Sequence, residues 1–339
     1  MKLALLLALI NPAIGGVLLI GARGTGKTTA VRSLLDLLPD VQRSNCFYGC
    51  TTEDIEAGGI ETVCPDCAKK YQQGIPLESQ DRVRLVELPL NAQLEDVIGR
   101  LDDRPSTHQR LRLKRGILAQ SDQNLLYVDE VNLLSNEIID AILDAAANGS
   151  YTVKRGAISA TYRARLTLIG AMNPEEGDLR PQIMDRFGLR VVIHGLTNTA
   201  ERIEAYQRVQ LYRRNPHLLV SQFAQETEQV RQEIKAARQL LPQVTIPQSC
   251  THTAIEIIRK LKIDSLRAEI SLLEASRAHA AADGRCEVNL DDIQTVAPLA
   301  LRLRQSPFMI RYLKSVSTAE KSLESAIRET IHNKEKVNG

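Results

Sequence analysis

Through the first 197 positions, apolar residues fall into short runs, interrupted by charge only at Arg84, Glu87 and Arg190. Between the runs lie longer stretches in which they recur every three or four residues. The runs at 16–21, 84–88, 125–128, 166–170 and 189–193 predict strands buried on both faces, as in a parallel sheet covered by helices. The stretches 27–38 and 136–147 have helical period. Beyond position 199 the apolar runs stop. Residues 199–241 are polar and helical in period, broken at Asn215-Pro216, and a Pro242 to Pro247 hinge follows. Three more helices are predicted: 251–261, 265–282 with a stop at Gly284, and one capped by Asn289 that runs to about 304. The tail from Val316 is amphipathic and charged. The pattern predicts an α/β domain over 1–197, a helical linker over 198–247 and a smaller all-α domain over 248–339. There is no repeat of 20–50 residues.

The first ten residues, MKLALLLALI, imitate a secretory signal. Asn11-Pro12 interrupts the run without a small-x-small cleavage site, and the next apolar run leads straight into a glycine-rich loop. We therefore read a buried helix followed by a buried strand. No stretch is long, apolar and unbroken enough to predict a membrane span.

Composition narrows the function. The chain has 339 residues, 43% hydrophobic and 25% charged, which suits a globular protein with a sizeable core. Lys+Arg is 43 against Asp+Glu 41, a net charge of +2, so no strongly basic nucleic-acid binder is expected. Aromatics are 4% with no Trp, which disfavours a base-stacking surface. The basic, leucine-alternating stretch 108–115 lacks an aromatic platform or DNA-binding motif, so a nucleic-acid contact is not expected there; the family resemblance given below implies a ring-interface or pore loop instead. The alternating charges of 226–238 read as a solvated helix face.

The strongest chemical signal is Gly21-Ala22-Arg23-Gly24-Thr25-Gly26-Lys27-Thr28, followed by Thr29. It matches G-x-x-x-x-G-K-[ST] between an apolar strand and a helix. There, backbone N–H groups and the positive helix end cradle phosphates, Lys27 meets the β/γ-phosphates and the Thr28 hydroxyl binds Mg²⁺. A second apolar strand ends in Asp129-Glu130, carboxylates suited to holding Mg²⁺ and polarising the attacking water. A phosphorylated nucleotide with Mg²⁺ is the implied ligand, which the family resemblance below narrows to ATP. Asn173 follows a third strand and could face a γ-phosphate, although Asn-Pro is also a turn signal. Arg186 and Arg267 suit neutralisation of phosphate charge, or ordinary ion pairs.

Four of the six cysteines cluster as Cys46-x₃-Cys50 and Cys64-x₂-Cys67, within an expected insertion over 45–80. Three readings stand: a structural Zn²⁺ held by four thiolates, a redox-sensitive dithiol at Cys64/Cys67, or free thiols. Cys250 and Cys286 read as ordinary thiols.

In order and content these motifs resemble the AAA+ ATPases and, more narrowly, the I subunit of magnesium chelatase with its cobalt-chelatase relatives. The resemblance rests on Tyr127-Val-Asp-Glu-Val-Asn-Leu-Leu134 and on the stretch from Gly170-Ala-Met-Asn-Pro-Glu-Glu-Gly to Asp185-Arg-Phe-Gly-Leu189. Val86-Glu-Leu-Pro-Leu90, Glu95-Asp96, Gly99 and Leu101-Asp102 resemble the family's insertion near the ring centre, and Ser265-Leu-Arg-Ala-Glu-Ile its sensor-2 helix.

The resemblance implies a parallel-sheet P-loop ATPase core followed by a smaller all-α helical lid. It makes Asn173 sensor 1, Arg267 sensor 2 acting from the lid, and Arg186 an arginine finger acting on a neighbour's ATP. It implies a hexameric ring with active sites at subunit boundaries. The partners would be a chelatase D subunit and a large porphyrin-binding H subunit, and the reaction Mg²⁺ insertion into protoporphyrin IX on the way to chlorophyll. The expected location is the cytoplasm, or the stroma in a phototrophic eukaryote.

Two departures are visible. The family carries a segment upstream of the position of Met1 that helps hold adenine; either the start is assigned late or the segment is truncated, and truncation would weaken the hold on nucleotide. Lys114-Arg-Gly-Ile-Leu118 stands where relatives tend to have Pro-Gly-Leu-Leu. The nearest alternatives are a cobaltochelatase ATPase in cobalamin synthesis and a DNA-acting AAA+ ATPase.

Overall fold

The structure, a computed structural model, describes residues 1–101, 113–156 and 158–305. Most of the basic stretch 108–115, Asp102 and the tail from Val316 lie outside the described residues.

Five strands form the central sheet: β1 (Val17–Ile20), β2 (Leu85–Glu87), β3 (Leu125–Val128), β4 (Thr167–Met172) and β5 (Leu189–Val192). Their order is β5-β1-β4-β3-β2, parallel throughout. Val17 pairs with Ile169 and Leu189, and Leu125 with Thr167 and Leu85. Every residue of β1, β3 and β4 is buried, as their uninterrupted apolar sequences predict. Alternate residues serve opposite faces: Val17 and Leu19 join one core, Leu18 and Ile20 the other.

The principal helices are α1 (Lys2–Ile10), α2 (Lys27–Ser33), α3 (Asn136–Asn148), α4 (Pro181–Arg186), α5 (Thr199–Arg214), α6 (Ala224–Leu240), α7 (Gln248–Lys260), α8 (Leu266–Ala282) and α9 (Leu290–Leu301). Helix α3 covers one sheet face through Ile138, Ile139, Ile142 and Leu143. The other face packs against α1 and the C-terminal helices in one continuous core. Helix α1 sinks Leu5, Leu7, Leu9 and Ile10 into that core, each worth about 1.5–3 kcal/mol of burial. The Asn11 amide then donates to the Glu274 carbonyl (3.1 Å) and carboxylate (2.7 Å) of α8.

Three boundaries differ from the sequence expectation. The helix expected over 251–261 begins earlier, at Gln248. The helix over 27–38 is α-helical only to Ser33 and tightens into a 3₁₀ turn at Leu34–Leu37. The helix from Asn289 has the expected cap, a reciprocal pair of hydrogen bonds with Asp292, but stops at Leu301. The chain turns extended at Arg302 because Arg304 is drawn inward. The charged stretch 226–238 is also less solvated than its pattern suggests, since Arg238 Nε donates to the Leu9 carbonyl at 2.8 Å.

The joint between sheet and helical domain is polar. The Arg304 side chain is wholly buried and donates to the Asp185 carboxylate (2.6 Å) and to the carbonyls of Phe187 and Gly188. The Ser265 hydroxyl, capping α8, donates to the same carboxylate. Buried Arg190 lies 3.6 Å from Asp185 and donates to the Arg302 carbonyl. Burial, then Arg304, pushes the Arg190 guanidinium down to about 9.

Three smaller units project from the core. Two are antiparallel hairpins: Gly99–Leu101 with Leu113–Arg115, and Ser150–Arg155 with Ile158–Arg163. The third spans Val41–Asp81, tied at its base by the ribbon Val41–Ser44 with Glu78–Asp81, and contains the four clustered cysteines.

Candidate active site at three adjacent strand ends

Parallel β1, β4 and β3 are neighbours, so their C-terminal ends open on one edge of the sheet. In open α/β sheets that edge is where ligands bind. The three strands deliver Gly21–Thr28, Asn173 and Asp129-Glu130 to it.

The loop after β1 is held tightly at its start. A Cβ on Gly21 would lie 2.6 Å from the Ile193 carbonyl oxygen. Gly26, at φ +81°, turns the chain into α2, a left-handed conformation that favours glycine. Lys27 is nearly buried and its ammonium donates to the loop's own carbonyls, Gly21 (2.6 Å) and Ala22 (3.0 Å). The cation is thus stationed inside the curl, where an anion would compete for it. Thr25 braces the loop by donating to the Ala22 carbonyl at 3.0 Å.

Thr28 and Asp129 meet: the threonine hydroxyl is 3.5 Å from Asp129 Oδ2. Sequence reasoning missed a third member of this group. The Tyr127 hydroxyl lies 3.0 Å from Thr28 Oγ1, and burial pushes the phenol up to about 12, with Asp129 and Glu87 adding to the shift. Tyr127 therefore keeps its proton at neutral pH. When it donates that proton to Thr28, the threonine hydrogen turns toward Asp129. Thr28 and Asp129 converge as oxygen donors of the kind Mg²⁺ accepts. No signal in the sequence set Tyr127 apart from the other apolar-run residues.

Glu130 sits at φ +48°, ψ +49°, unusual for a non-glycine residue, and its N–H donates to Asp129 Oδ1 at 3.0 Å. Its carboxylate pairs with Arg23 of the glycine-rich loop at 3.2 Å, and Arg23 also pairs with Glu176 at 2.5 Å. Arg23 thus straps the loop to the residues after β3 and β4. Asn173 is buried and caps the turn Pro174–Glu176, accepting from the Glu175 N–H at 3.3 Å. The turn role and the position beside β1 coexist.

The two arginines stand apart from this group. Arg186 pairs with Asp140 (3.1 Å) and Asp144 (2.9 Å) of α3. Arg267 is exposed on the first turn of α8, with no hydrogen bond or ion pair among the described residues. It lies near enough to Arg304 to depress that guanidinium further, burial being the larger cause. Asp185, beside Arg186, was also missed as a site feature, since its partners are some 80 and 119 positions away.

The four cysteines converge. Their sulfurs all lie within 4.8 Å of one another, with Cys46 3.7 Å from Cys50 and 3.6 Å from Cys64. The hydrogen bond with Cys50 draws the Cys46 thiol well below its usual range, while burial raises Cys67. Among the described residues none of the four hydrogen-bonds to the nucleotide loop, and they are one group rather than two separate pairs. Cys250 is buried against the Val288 carbonyl, and Cys286 is exposed.

Comparison with known proteins places this arrangement. Residues 15–171 match the AAA domain and residues 251–321 the AAA lid domain. The chain is 39% identical over 312 residues to the "Magnesium-chelatase subunit ChlI homolog" of Methanocaldococcus jannaschii, covering 91% of this chain and 84% of that one. It is 38% identical over 324 residues to magnesium-chelatase subunit ChlI of Synechocystis, covering 95% and 89%. Among solved structures, a putative ATPase from Cytophaga hutchinsonii shares the fold, with TM-score 0.56, 18% identity, and 90% and 81% of the two chains covered.

Proposed function

The chain belongs to the family of magnesium-chelatase I subunits, AAA+ ATPases, and from that premise we propose that it is the ATP-hydrolysing motor of a magnesium chelatase. ATP hydrolysis here drives insertion of Mg²⁺ into protoporphyrin IX, in chlorophyll or bacteriochlorophyll synthesis. The observation that supports this best is the delivery of Lys27-Thr28, Asn173 and Asp129-Glu130 to one sheet edge by three adjacent strands.

Each residue then has a task. Lys27 exchanges the carbonyls of Gly21 and Ala22 for the β/γ-phosphates. Thr28 and Asp129 hold the Mg²⁺ of MgATP, which supplies charge neutralisation at the phosphates. Glu130, released from Arg23, orients and polarises the attacking water. Asn173 senses the γ-phosphate from the end of β4. Arg267 does so from the helical lid, and Arg186, leaving Asp140 and Asp144, acts on ATP bound by a neighbouring copy. This requires a homo-oligomeric ring, which we take as hexameric. A chelatase D subunit and a porphyrin-binding H subunit are the partners.

We assign residues 1–197 to the nucleotide-binding unit, 198–247 to a linker and 248–339 to the lid. No helix among the described residues is long and apolar enough to cross a membrane, and we place the chain in the cytoplasm or, in a phototrophic eukaryote, the stroma. The four cysteines are assigned to structural Zn²⁺ rather than to catalysis.

The test is tetrapyrrole metallation with purified D and H subunits and ATP, followed by product fluorescence. Insertion should require this chain and an intact Lys27. ATPase activity with active partners and no Mg²⁺ insertion would overturn the magnesium reading. Arg186→Ala should bind ATP without hydrolysing it. Mixing it with Lys27→Ala should restore turnover, because Lys27→Ala still supplies a finger; no recovery in mixed rings would exclude action in trans.

A further inference from the structure

The cysteine unit lacks the means to hold itself together. Its buried residues are Cys50, Ile55, Val63, Cys64, Cys67 and Leu77, so half of its small core is thiol. At about forty residues, such a unit ordinarily depends on a metal or disulfides. The sulfurs are too far apart to be bonded to one another but match a metal: at Zn–S distances of about 2.3 Å, tetrahedral thiolates lie about 3.8 Å apart. Three backbone N–H groups already point at sulfur: Tyr48 at Cys46 (3.3 Å), Cys64 at Cys50 (3.3 Å) and Cys67 at Cys64 (3.4 Å). Donors so aimed stabilise thiolates, the form that binds metal.

One ligand is coupled directly to another part of the molecule. Cys50 precedes Thr51, which begins the helix Thr52–Gly58 with a reciprocal cap to Asp54. Thr51 Oγ1, Glu53 and Asp54 all receive the Arg163 guanidinium, at 2.8, 2.9 and 3.3 Å. Arg163 ends the hairpin Ser150–Arg163, which connects α3 to β4 and hence the acidic partners of Arg186 to Asn173. Between the unit and this hairpin lies a cleft of about 670 Å³ rather than a shared apolar core. The Arg163 clasp crosses this cleft, and Arg165, just past the hairpin, reaches Glu53 as well at 3.6 Å.

Resting on the zinc assignment above, we propose that one Zn²⁺ bound by Cys46, Cys50, Cys64 and Cys67 anchors the hairpin Ser150–Arg163 through Thr51, Glu53 and Asp54. The ion fixes Cys50, Cys50 fixes the cap, and the cap presents three acceptors to Arg163. The metal site is thereby linked to the chain segments on either side of the hairpin.

The experiment has two parts on the full chain. Zinc is first measured by elemental analysis after purification in reductant. One equivalent per chain is expected, falling below a tenth in Cys64→Ser and retained in Cys46→His, since three cysteines and a histidine also form a structural zinc site. Four freely titrating thiols without metal, two disulfides, or bound iron instead would overturn the zinc assignment itself. Hydrogen exchange then tests the anchor. Stripping zinc should speed exchange in both 41–81 and 150–163 by at least ten-fold. Arg163→Ala should speed it in 150–163 while zinc stays bound. Zinc present with hairpin exchange unchanged in both samples would overturn the anchor and leave the metal site standing.

Discussion

The nucleotide pocket and the cysteine unit solve the same problem, holding a few polar groups in fixed positions, by different means. In the pocket the groups follow strands that are buried along their whole length, so the sheet register sets their spacing. In the cysteine unit Ile55, Val63 and Leu77 are the only buried aliphatic side chains among the described residues, and the positions of the sulfurs depend on what binds them. A site on a deep core tolerates loss of its ligand; a site on a shallow one is built by its ligand.

The comparison can be broken from either side. Lys27→Ala should have the largest effect on activity, abolishing ATP hydrolysis while thermal unfolding and zinc content stay unchanged; residual turnover in a contaminant-free preparation would contradict the role of the loop. Cys64→Ser should do the reverse. Metal content falls to the background level and proteases cut within 41–81, yet nucleotide still binds, since structural zinc sites contribute about 10–16 kcal/mol to units that cannot fold without them. Equal damage to both sites by this variant would show that they are not separate. Tyr127→Phe sharpens the pocket side. Losing one hydrogen bond to Thr28 should cost about 0.5–1.5 kcal/mol, roughly two- to ten-fold in KM for MgATP, with the fold intact. The smallest effect is expected from Arg23→Ala. Exposed ion pairs contribute about 0–1 kcal/mol, so freeing Glu130 should change kcat by less than about five-fold. A larger drop would make Arg23 part of the chemistry rather than a strap.

The two regions also differ in how much of them could be read from sequence. Three of the five sheet strands stand out as uncharged apolar runs, whereas the other two carry Glu87 or Arg190 and the first of these, expected to be buried on both faces, lies half-exposed at the sheet edge. The loop, Asp129-Glu130 and Asn173 stand out because each directly follows a strand. Nearest-neighbour order along the chain therefore carries most of the pocket. What it lacks are closures between distant positions: Tyr127 on Thr28, Arg23 on Glu176, Arg304 on Asp185. Each depends on which strands lie side by side, and the order β5-β1-β4-β3-β2 is not written in any local pattern. The cysteines were visible as two pairs, but spacing alone did not choose among zinc, a dithiol and free thiols. Their convergence within 4.8 Å is what separates one four-sulfur site from two pairs.

The contact between the first helix and the eighth has a consequence for how the protein is made. Asn11 bonds to Glu274, and the Ile14 carbonyl accepts from Ser271, so the opening of the chain finds its partners some 260 positions later. At roughly 5–20 residues per second, translation leaves that apolar opening without its native cover for about 10–50 s. The ribosome-bound chain should therefore expose MKLALLLALI throughout most of its synthesis, and native docking of the nucleotide sheet waits for the helical domain to emerge. For this molecule, order of synthesis and order of assembly run in opposite directions at the N-terminus.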